Sequence, residues 1–195
     1  MKLTPVQIQS LCLSIEGLTQ PDELTLLYQL CFQAPADGWF VELGSYKGRS
    51  SVAICQGAEE LDRQVMLIDN FTPIVKRGWQ DKHGTASLLR CNLESFGFYP
   101  VIIDGDSRVV PDVLPKGESV AFLFIDSNHA PEHFEDELDN WQERLLPGAI
   151  ITCHDYANPK CAGLGPMIDK RLGHLKRLDL VDSTVAFRWN NAAVK

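Results

Sequence analysis

The hydrophobic pattern changes character about 35 residues into the chain. Before that point the apolar positions fall as they do in helices: Leu11, Leu13, Ile15 and Leu18 in one segment, then Leu24, Leu26, Leu27, Leu30 and Phe32 in the next. The second segment follows "TQPDE", where a proline stands just inside an acidic first turn, a sound helix start. Beyond it come the short β-rich runs "WFVEL", "QVMLID", "YPVIID", "VAFLFID" and "AIITCHD". Each is largely apolar without alternation, as expected of strands covered on both faces. The intervals are long enough for helices, so the pattern predicts a parallel sheet with helices on both sides. The clearest helix is expected over 131–146. Pro131 suits its first turn, and Phe134, Leu138, Trp141 and Leu145 make one apolar stripe. Glu132, Glu135, Asp136 and Glu137 near its start and Arg144 near its end match the helix dipole, and "PG" at 147–148 is its expected stop. Another helix is expected after Gly165. The runs "LKRLDLV" and "TVAFRWN" are separated by Asp182 and Ser183, too few residues for a parallel crossover, so they are expected to form an antiparallel hairpin that closes the sheet.

Composition narrows the class without changing this picture. The 195 residues suit one domain, with a helical N-terminal extension over 1–35 and a core over 36–195. Apolar residues make up 45% and charged residues 23%, and the formal charge is −8. That acidity argues against sequence-independent binding to nucleic acid or to an anionic membrane, which needs clustered Lys and Arg. Lys160, Lys170, Arg171, Lys176 and Arg177 thicken toward the C-terminus and read as a solvated face. Cys12, Cys31, Cys55, Cys91, Cys153 and Cys161 contain no CxxC spacing and read as reduced thiols, mostly buried. Pro5, Gln7, Gln9 and Glu16 break the first apolar run, so it lacks a signal-peptide core, and no window approaches the roughly 20 apolar residues of a membrane span. A cytoplasmic protein is expected.

In open α/β sheets, ligands bind beyond the carboxyl ends of the strands. The first strand delivers Glu42 and the turn from Gly44 to Gly48, and the second ends in Asp69-Asn70. The third leads into Asp104-Gly105-Asp106-Ser107. The fourth ends in Asp126, followed by Asn128 and His129, and the fifth in His154-Asp155-Tyr156. One terminal Asp is ordinary turn chemistry; a carboxylate at every strand tip is not. A phosphate ligand would be repelled, and the turn is GxxxG where a dinucleotide site has GxGxxG. A ligand with a cation, a ribose and an adenine fits better. Asp69 can accept from the ribose hydroxyls, Asp106 with Ser107 beside it from the adenine amino group, and Glu42 with the glycine turn can hold an amino-acid end. S-adenosylmethionine is such a ligand.

The stretches "VELGSYKGRSS", "VMLIDNF", "DGDSR", "FIDSNH", "LLPGAIITCHDY" and "VDSTVAFRW", in this order over residues 40–189, resemble the class I S-adenosylmethionine-dependent methyltransferases. Within them the chain is similar to the small metal-dependent O-methyltransferases related to macrolide-sugar methyltransferases and cephalosporin-hydroxylase-like proteins. The resemblance implies a three-layer Rossmann-like sandwich on a seven-stranded, mainly parallel sheet whose last strand is antiparallel. It implies cofactor contacts at Glu42, Gly44, Ser45, Gly48, Asp69, Asn70, Asp106, Ser107 and Asp126, and a divalent ion, Mg²⁺ or Mn²⁺, at Asp126, His154 and Asp155. The implied acceptor is a small molecule with a hydroxyl group, deprotonated by His129 or Asp126 with Asp155 in the same catalytic set. Neither nucleic acid nor membrane is an implied partner, and a homodimer stays open. The chain departs from the family's FIDGDH-type turn: Ser127 and Asn128 replace a glycine and an acid, and Pro131 stands near where a tyrosine is common. Two other readings are an S-adenosylmethionine-binding protein without catalysis, which that altered turn favours, and an NAD-dependent oxidoreductase, which the GxxxG turn disfavours. His129 can instead cap the helix at Pro131, and Tyr156 can line the acceptor pocket or only pack. The loop "FTPIVKRGWQDKHG", with Lys76, Arg77, Trp79 and His83, reads as a lid.

Overall fold

The computed structural model describes residues 2–71, 75–76, 79–80, 85–109 and 117–190. Two helices, α1 (Pro5–Cys12) and α2 (Pro21–Cys31), lead into the sheet. Thr4 caps α1 by accepting from the Gln7 amide, and Gln20 and Glu23 form the reciprocal capping pair of α2. Then follow β1 (Trp39–Leu43), α3 (Arg49–Glu59) and β2 (Val65–Asp69). A two-residue antiparallel ladder, β3 (Val75–Lys76) with β4 (Trp79–Gln80), lies in the segment read as a lid. The rest of that segment, with Arg77 and His83, lies outside the described residues. The chain continues through α4 (Ala86–Glu94), β5 (Val101–Asp104), β6 (Val120–Ile125), α5 (Pro131–Trp141), β7 (Leu145–Cys153), α6 (Leu164–Leu172), β8 (Lys176–Val181) and β9 (Thr184–Arg188).

Seven strands form one sheet in the order β5-β2-β1-β6-β7-β9-β8. The pairings from β5 to β7 are all parallel, and β9 runs antiparallel to both β7 and β8. The expected closing hairpin therefore forms, and the last strand is the antiparallel one. Order reverses between β1 and β6, so the carboxyl ends of these two strands flank the crevice where α/β sheets take ligands.

Side-chain alternation divides the core into two layers. Phe40, Leu67, Phe122, Phe124 and Ile150 face α1, α2, α3 and α4. Val41, Leu43, Ile68, Leu123, Ile125 and Ile151 face α5 and α6. The central strands are apolar on both faces because both faces are covered. β5 departs from that expectation: as an edge strand it leaves Val101 42% exposed.

The expected helix over 131–146 is shorter than its pattern suggested. α5 ends at Trp141, a single 3-10 turn covers Gln142–Arg144, and Leu145 already pairs with Val120 as the first residue of β7. Leu145 is in the core as expected, but as a strand residue. Glu137, one of the acids read as matching the helix dipole, is fully buried. The basic residues near the C-terminus behave as a solvated face: Lys170 and Arg171 pair with Glu135, and Arg177 with Asp169. All six cysteines are free thiols, with Cys12, Cys31, Cys55 and Cys153 buried. No helix among the described residues is long and apolar enough to cross a membrane.

Where β1 crosses the end of β6 the backbones nearly touch. Gly44 has φ +88, and a Cβ there would lie 2.7 Å from Ser127 Cα and closer still to the Asp126 carbonyl. Gly44→Ala is expected to cost about 3 kcal/mol through left-handed strain and overlap together. Gly97→Ala, at φ +84 with nothing within 4 Å, is expected to cost about 1 kcal/mol from backbone strain alone. Urea unfolding midpoints of the two variants check this ordering.

Candidate active site

A cavity of about 670 Å³ opens at the carboxyl edge of the sheet, within the size range of cofactor and substrate pockets. Its walls come from the turn after β1, the ends of β2, β5, β6 and β7, and the segment that enters α2. Backbone hydrogen bonds that continue the parallel ladder set the positions of these ends. Gly44 N–H donates to Ile68 O at 2.8 Å, Asp126 N–H to Leu43 O at 2.8 Å, and His154 N–H to Ile125 O at 3.0 Å.

The carboxylates at the strand tips are in contrasting environments. Glu42 is fully buried beneath the glycine turn and is not on the cavity wall. Ser50 Oγ donates to it at 2.5 Å, and Ser51 Oγ donates to its other oxygen. Burial outweighs these hydroxyls and pushes its carboxyl up to about 7. Asp69 is on the wall and accepts three backbone amides, from Ser45 (2.9 Å), Tyr46 (2.7 Å) and Phe71 (2.6 Å). Burial raises its carboxyl despite them. A carboxylate offers about four lone-pair sites, so Asp69 keeps capacity for one ribose hydroxyl, not for both. Asn70, Ser45 and Gly44 line the same wall, whereas Gly48 is set back as the N-cap of α3.

Asp106 does not face the cavity. Arg108 grips it through two nitrogens, at 3.0 and 2.6 Å, and that contact holds its carboxyl down at about 2. Ser107 does reach the wall, but its hydroxyl donates to Glu137. Ser127 donates to the same Glu137 oxygen at 2.5 Å, and His133 Nε2 lies 3.3 Å from it. The sequence reading missed Glu137 as a structural anchor. The signal was there: Phe134, Glu137, Leu138 and Trp141 follow the three-and-four spacing of one buried face.

Asp126, His129, His154 and Asp155 converge on one wall. His154 Nδ1 lies 3.0 Å from Asp126 Oδ1 and 3.5 Å from Asp155 Oδ2, and His154 Nε2 lies 3.2 Å from Glu23 Oε2. Burial opposes charging of this ring, but Asp126, Asp155 and Glu23 outweigh burial and hold its pKa far above the usual imidazole value. For Asp155, burial is outweighed by His129, His154 and Asn158, and its carboxyl is held far below the usual range. His129 Nδ1 is 2.9 Å from Asp155 Oδ2, which raises the His129 pKa against a smaller opposing effect of burial. His129 does not cap α5; the N-cap is Ala130, whose amide is held by Asn128 Oδ1. Tyr156 packs, with its hydroxyl donating to Asp169.

The donor set fits a divalent cation. Asp126, His154 and Asp155 each offer a ligand atom within 4.8 Å of the others. His154 Nδ1 is buried without a well-aligned hydrogen bond among the described residues and faces both Asp126 and Asp155, so a cation there would take the place of a ring proton between the same carboxylates. Carboxylate oxygens and one imidazole suit Mg²⁺ or Mn²⁺. The cavity, the glycine turn against Asp126 and the spare acceptor capacity of Asp69 likewise fit a nucleoside with an amino-acid tail.

A family model described as a methyltransferase domain matches residues 41–156, and the chain belongs to that family. The likeness to methyltransferases read from the motifs thus holds at the level of this family. Similar solved structures include CalS11, a TDP-rhamnose 3'-O-methyltransferase of calicheamicin biosynthesis. It is 22% identical, with 87% of this chain and 78% of that one covered and a TM-score of 0.65. The O-methyltransferase NovP is 16% identical over 88% of this chain and 81% of that one, at a TM-score of 0.70. An O-methyltransferase from Bacillus cereus, solved with S-adenosylhomocysteine, is 17% identical over 95% and 89%, at 0.62.

Glu42 gives a pH test of the site's foundation. Its folded pKa of about 7 exceeds the usual 4.5, so between these values the native state binds the extra proton. Stability from this group therefore falls as pH rises through that window. Glu42→Gln cannot ionise. The difference in Tm, variant minus wild type, is expected to grow by several degrees between pH 5 and pH 8 in thermal melts.

Proposed function

We propose that the protein methylates a hydroxyl group of a small acceptor with the help of a divalent cation. The observation that carries this reading is the convergence of Asp126, His129, His154 and Asp155 on one wall of the cavity that the glycine turn also lines. The activity of CalS11 on TDP-rhamnose supports a sugar hydroxyl as the first acceptor class to test. Asp69, Asn70 and the Gly44–Ser45 turn hold the cofactor's ribose and amino-acid portions. With Asp106 engaged by Arg108, the base end rests on Gly105, Ser107 and Ser127.

Bound in this cavity, S-adenosylmethionine supplies an electrophilic methyl group, and charge is neutralised as it transfers. Asp126, His154 and Asp155 would hold the cation, which would lower the pKa of an acceptor hydroxyl and orient it. The chain's own residues do the remaining work. Asp155 accepts from His129 Nδ1, which fixes that ring and leaves its Nε2 free to take the acceptor proton, the logic of an acid-oriented histidine base. The buried floor of Glu42, Ser50 and Ser51 excludes water beneath the transfer path. Ser127 and Asn128, the residues that depart from the family pattern, are engaged with Glu137 and the Ala130 amide; they shape the turn and leave the proton chemistry to His129.

Titration calorimetry with S-adenosylhomocysteine tests the cofactor reading, and methyl transfer to a panel of sugar nucleotides and catechols, with Mg²⁺ and with EDTA, tests the reaction. Binding without turnover of any acceptor would defeat the enzymatic reading. His129→Gln is expected to lower kcat by about 10²- to 10⁴-fold with cofactor affinity unchanged. The wild-type rate should fall as pH drops through the His129 pKa, which lies above 6.5, because the base must be unprotonated.

A further inference from the structure

The N-terminal helices carry none of the methyltransferase stretches, yet α2 sends one side chain to the rear of the site. Glu23 is fully buried, and five donors surround its two oxygens. Oε1 accepts from Ser183 N–H at 3.0 Å, Ser183 Oγ at 2.8 Å and Thr184 Oγ1 at 3.0 Å. Oε2 accepts from Gln20 N–H at 2.8 Å and faces His154 Nε2 at 3.2 Å. Glu23 is thus a pure acceptor at the one ring nitrogen of His154 that points away from Asp126 and Asp155.

We propose that Glu23 is a positioning residue for His154. By holding the ring proton on Nε2, it presents the Nδ1 lone pair toward the cation position shared with Asp126 and Asp155. This inference rests on the cation reading above. An imidazole that coordinates through one nitrogen needs an acceptor on the other to fix tautomer and ring orientation. Here that acceptor comes from outside the matched methyltransferase segment, 131 residues away in sequence. Two further contacts bring it there. Arg49, the first residue of α3, donates through Nε to Ile15 O at 2.8 Å and through Nη1 to Thr19 O at 3.3 Å. The segment so held, Gly17 to Gln20, forms part of the cavity wall. The Glu23 carboxylate also joins α2 to the β8–β9 turn through Ser183 and Thr184. The N-terminal extension therefore completes the cation site and the acceptor side of the pocket.

The test measures Mn²⁺ affinity by electron paramagnetic resonance for the wild type, Glu23→Gln and Thr184→Val. S-adenosylhomocysteine affinity is measured beside it as a check on the fold. Glu23→Gln is expected to weaken Mn²⁺ binding by about 10- to 100-fold while cofactor affinity changes less than about twofold. Thr184→Val, which removes a Glu23 partner and leaves Glu23 and Ser183 beside His154 Nε2, should keep Mn²⁺ affinity near wild type. Equal Mn²⁺ affinity in wild type and Glu23→Gln would overturn the positioning role and leave the cation site standing. A wild type that binds no Mn²⁺ would overturn both. Should Glu23→Gln fail to fold, imidazole ¹⁵N shifts of the Mg²⁺-saturated wild type decide: a proton on His154 Nε2 supports the assignment, and one on Nδ1 overturns it.

Discussion

The chemistry of this protein depends on where a parallel hydrogen-bond ladder stops. Gly44, Asp126 and His154 each donate a backbone N–H to a carbonyl at the end of the neighbouring strand, and Gly105 donates to Asp69 O at 3.0 Å. Parallel pairing spaces such bonds evenly along the strands, so consecutive strand ends arrive at the edge in step. A slip of one residue in any strand would turn its tip residue toward the opposite helix layer. Apolar packing on both faces, with Leu43, Ile68 and Ile125 on one side and Phe40, Leu67 and Phe124 on the other, removes that freedom. The core thereby sets the spacing among Asp69, Asp126, His154 and Asp155.

Acidic tips crowded at one edge repel each other, and the fold answers by giving each a different set of donors. Glu42 has serine hydroxyls, Asp69 has backbone amides, Asp106 has Arg108, and Glu137 has Ser107 and Ser127. Those donors come from the protein itself and hold the carboxylates in structural work. Asp126 and Asp155 differ, because histidines face them. Histidine is the side chain that can carry a proton, release it, or offer a lone pair to a metal. The division of the carboxylates into clamps and those proposed to take part in the reaction is therefore made by their partners.

That division sets how much of the site was legible in the sequence. Strand runs and their terminal acids were readable because both follow local rules: apolar continuity for doubly covered strands, and Asp at the turn that follows. The hairpin of β8 and β9 was readable from the length of its connection. The boundary between α5 and β7 was not, since Leu145 continues the helical stripe in sequence and the switch to β7 is imposed by pairing with Val120. Glu23 was invisible for a similar reason. In sequence it is an ordinary capping residue at the third position of a helix, and it does cap Gln20; its contact with His154 exists only because α2 packs on α3 and Arg49 ties down the chain before it. Asp106 was misplaced in role because Arg108, two residues on, was not weighed as its partner.

Strain on the cavity wall shows what the clamping carboxylates accomplish. Tyr46, Phe71 and Asp155 all line the cavity with positive φ, at 48, 49 and 59°. Asp tolerates the left-handed region, but an aromatic residue there costs on the order of 1–3 kcal/mol and persists only when its surroundings over-determine it. Asp69 supplies that determination for both aromatics, since the same carboxylate accepts the amides of Tyr46 and Phe71. The two strained turns, one after β1 and one after β2, are thus tied to a single buried group. Their shape is fixed during folding, when the sheet buries its core, and not when a ligand arrives. A pocket ordered in this way loses little conformational entropy on binding. It also sets the wall of Asp69 and the wall of the two histidines in place before any ligand is present, as the proposed in-line transfer requires.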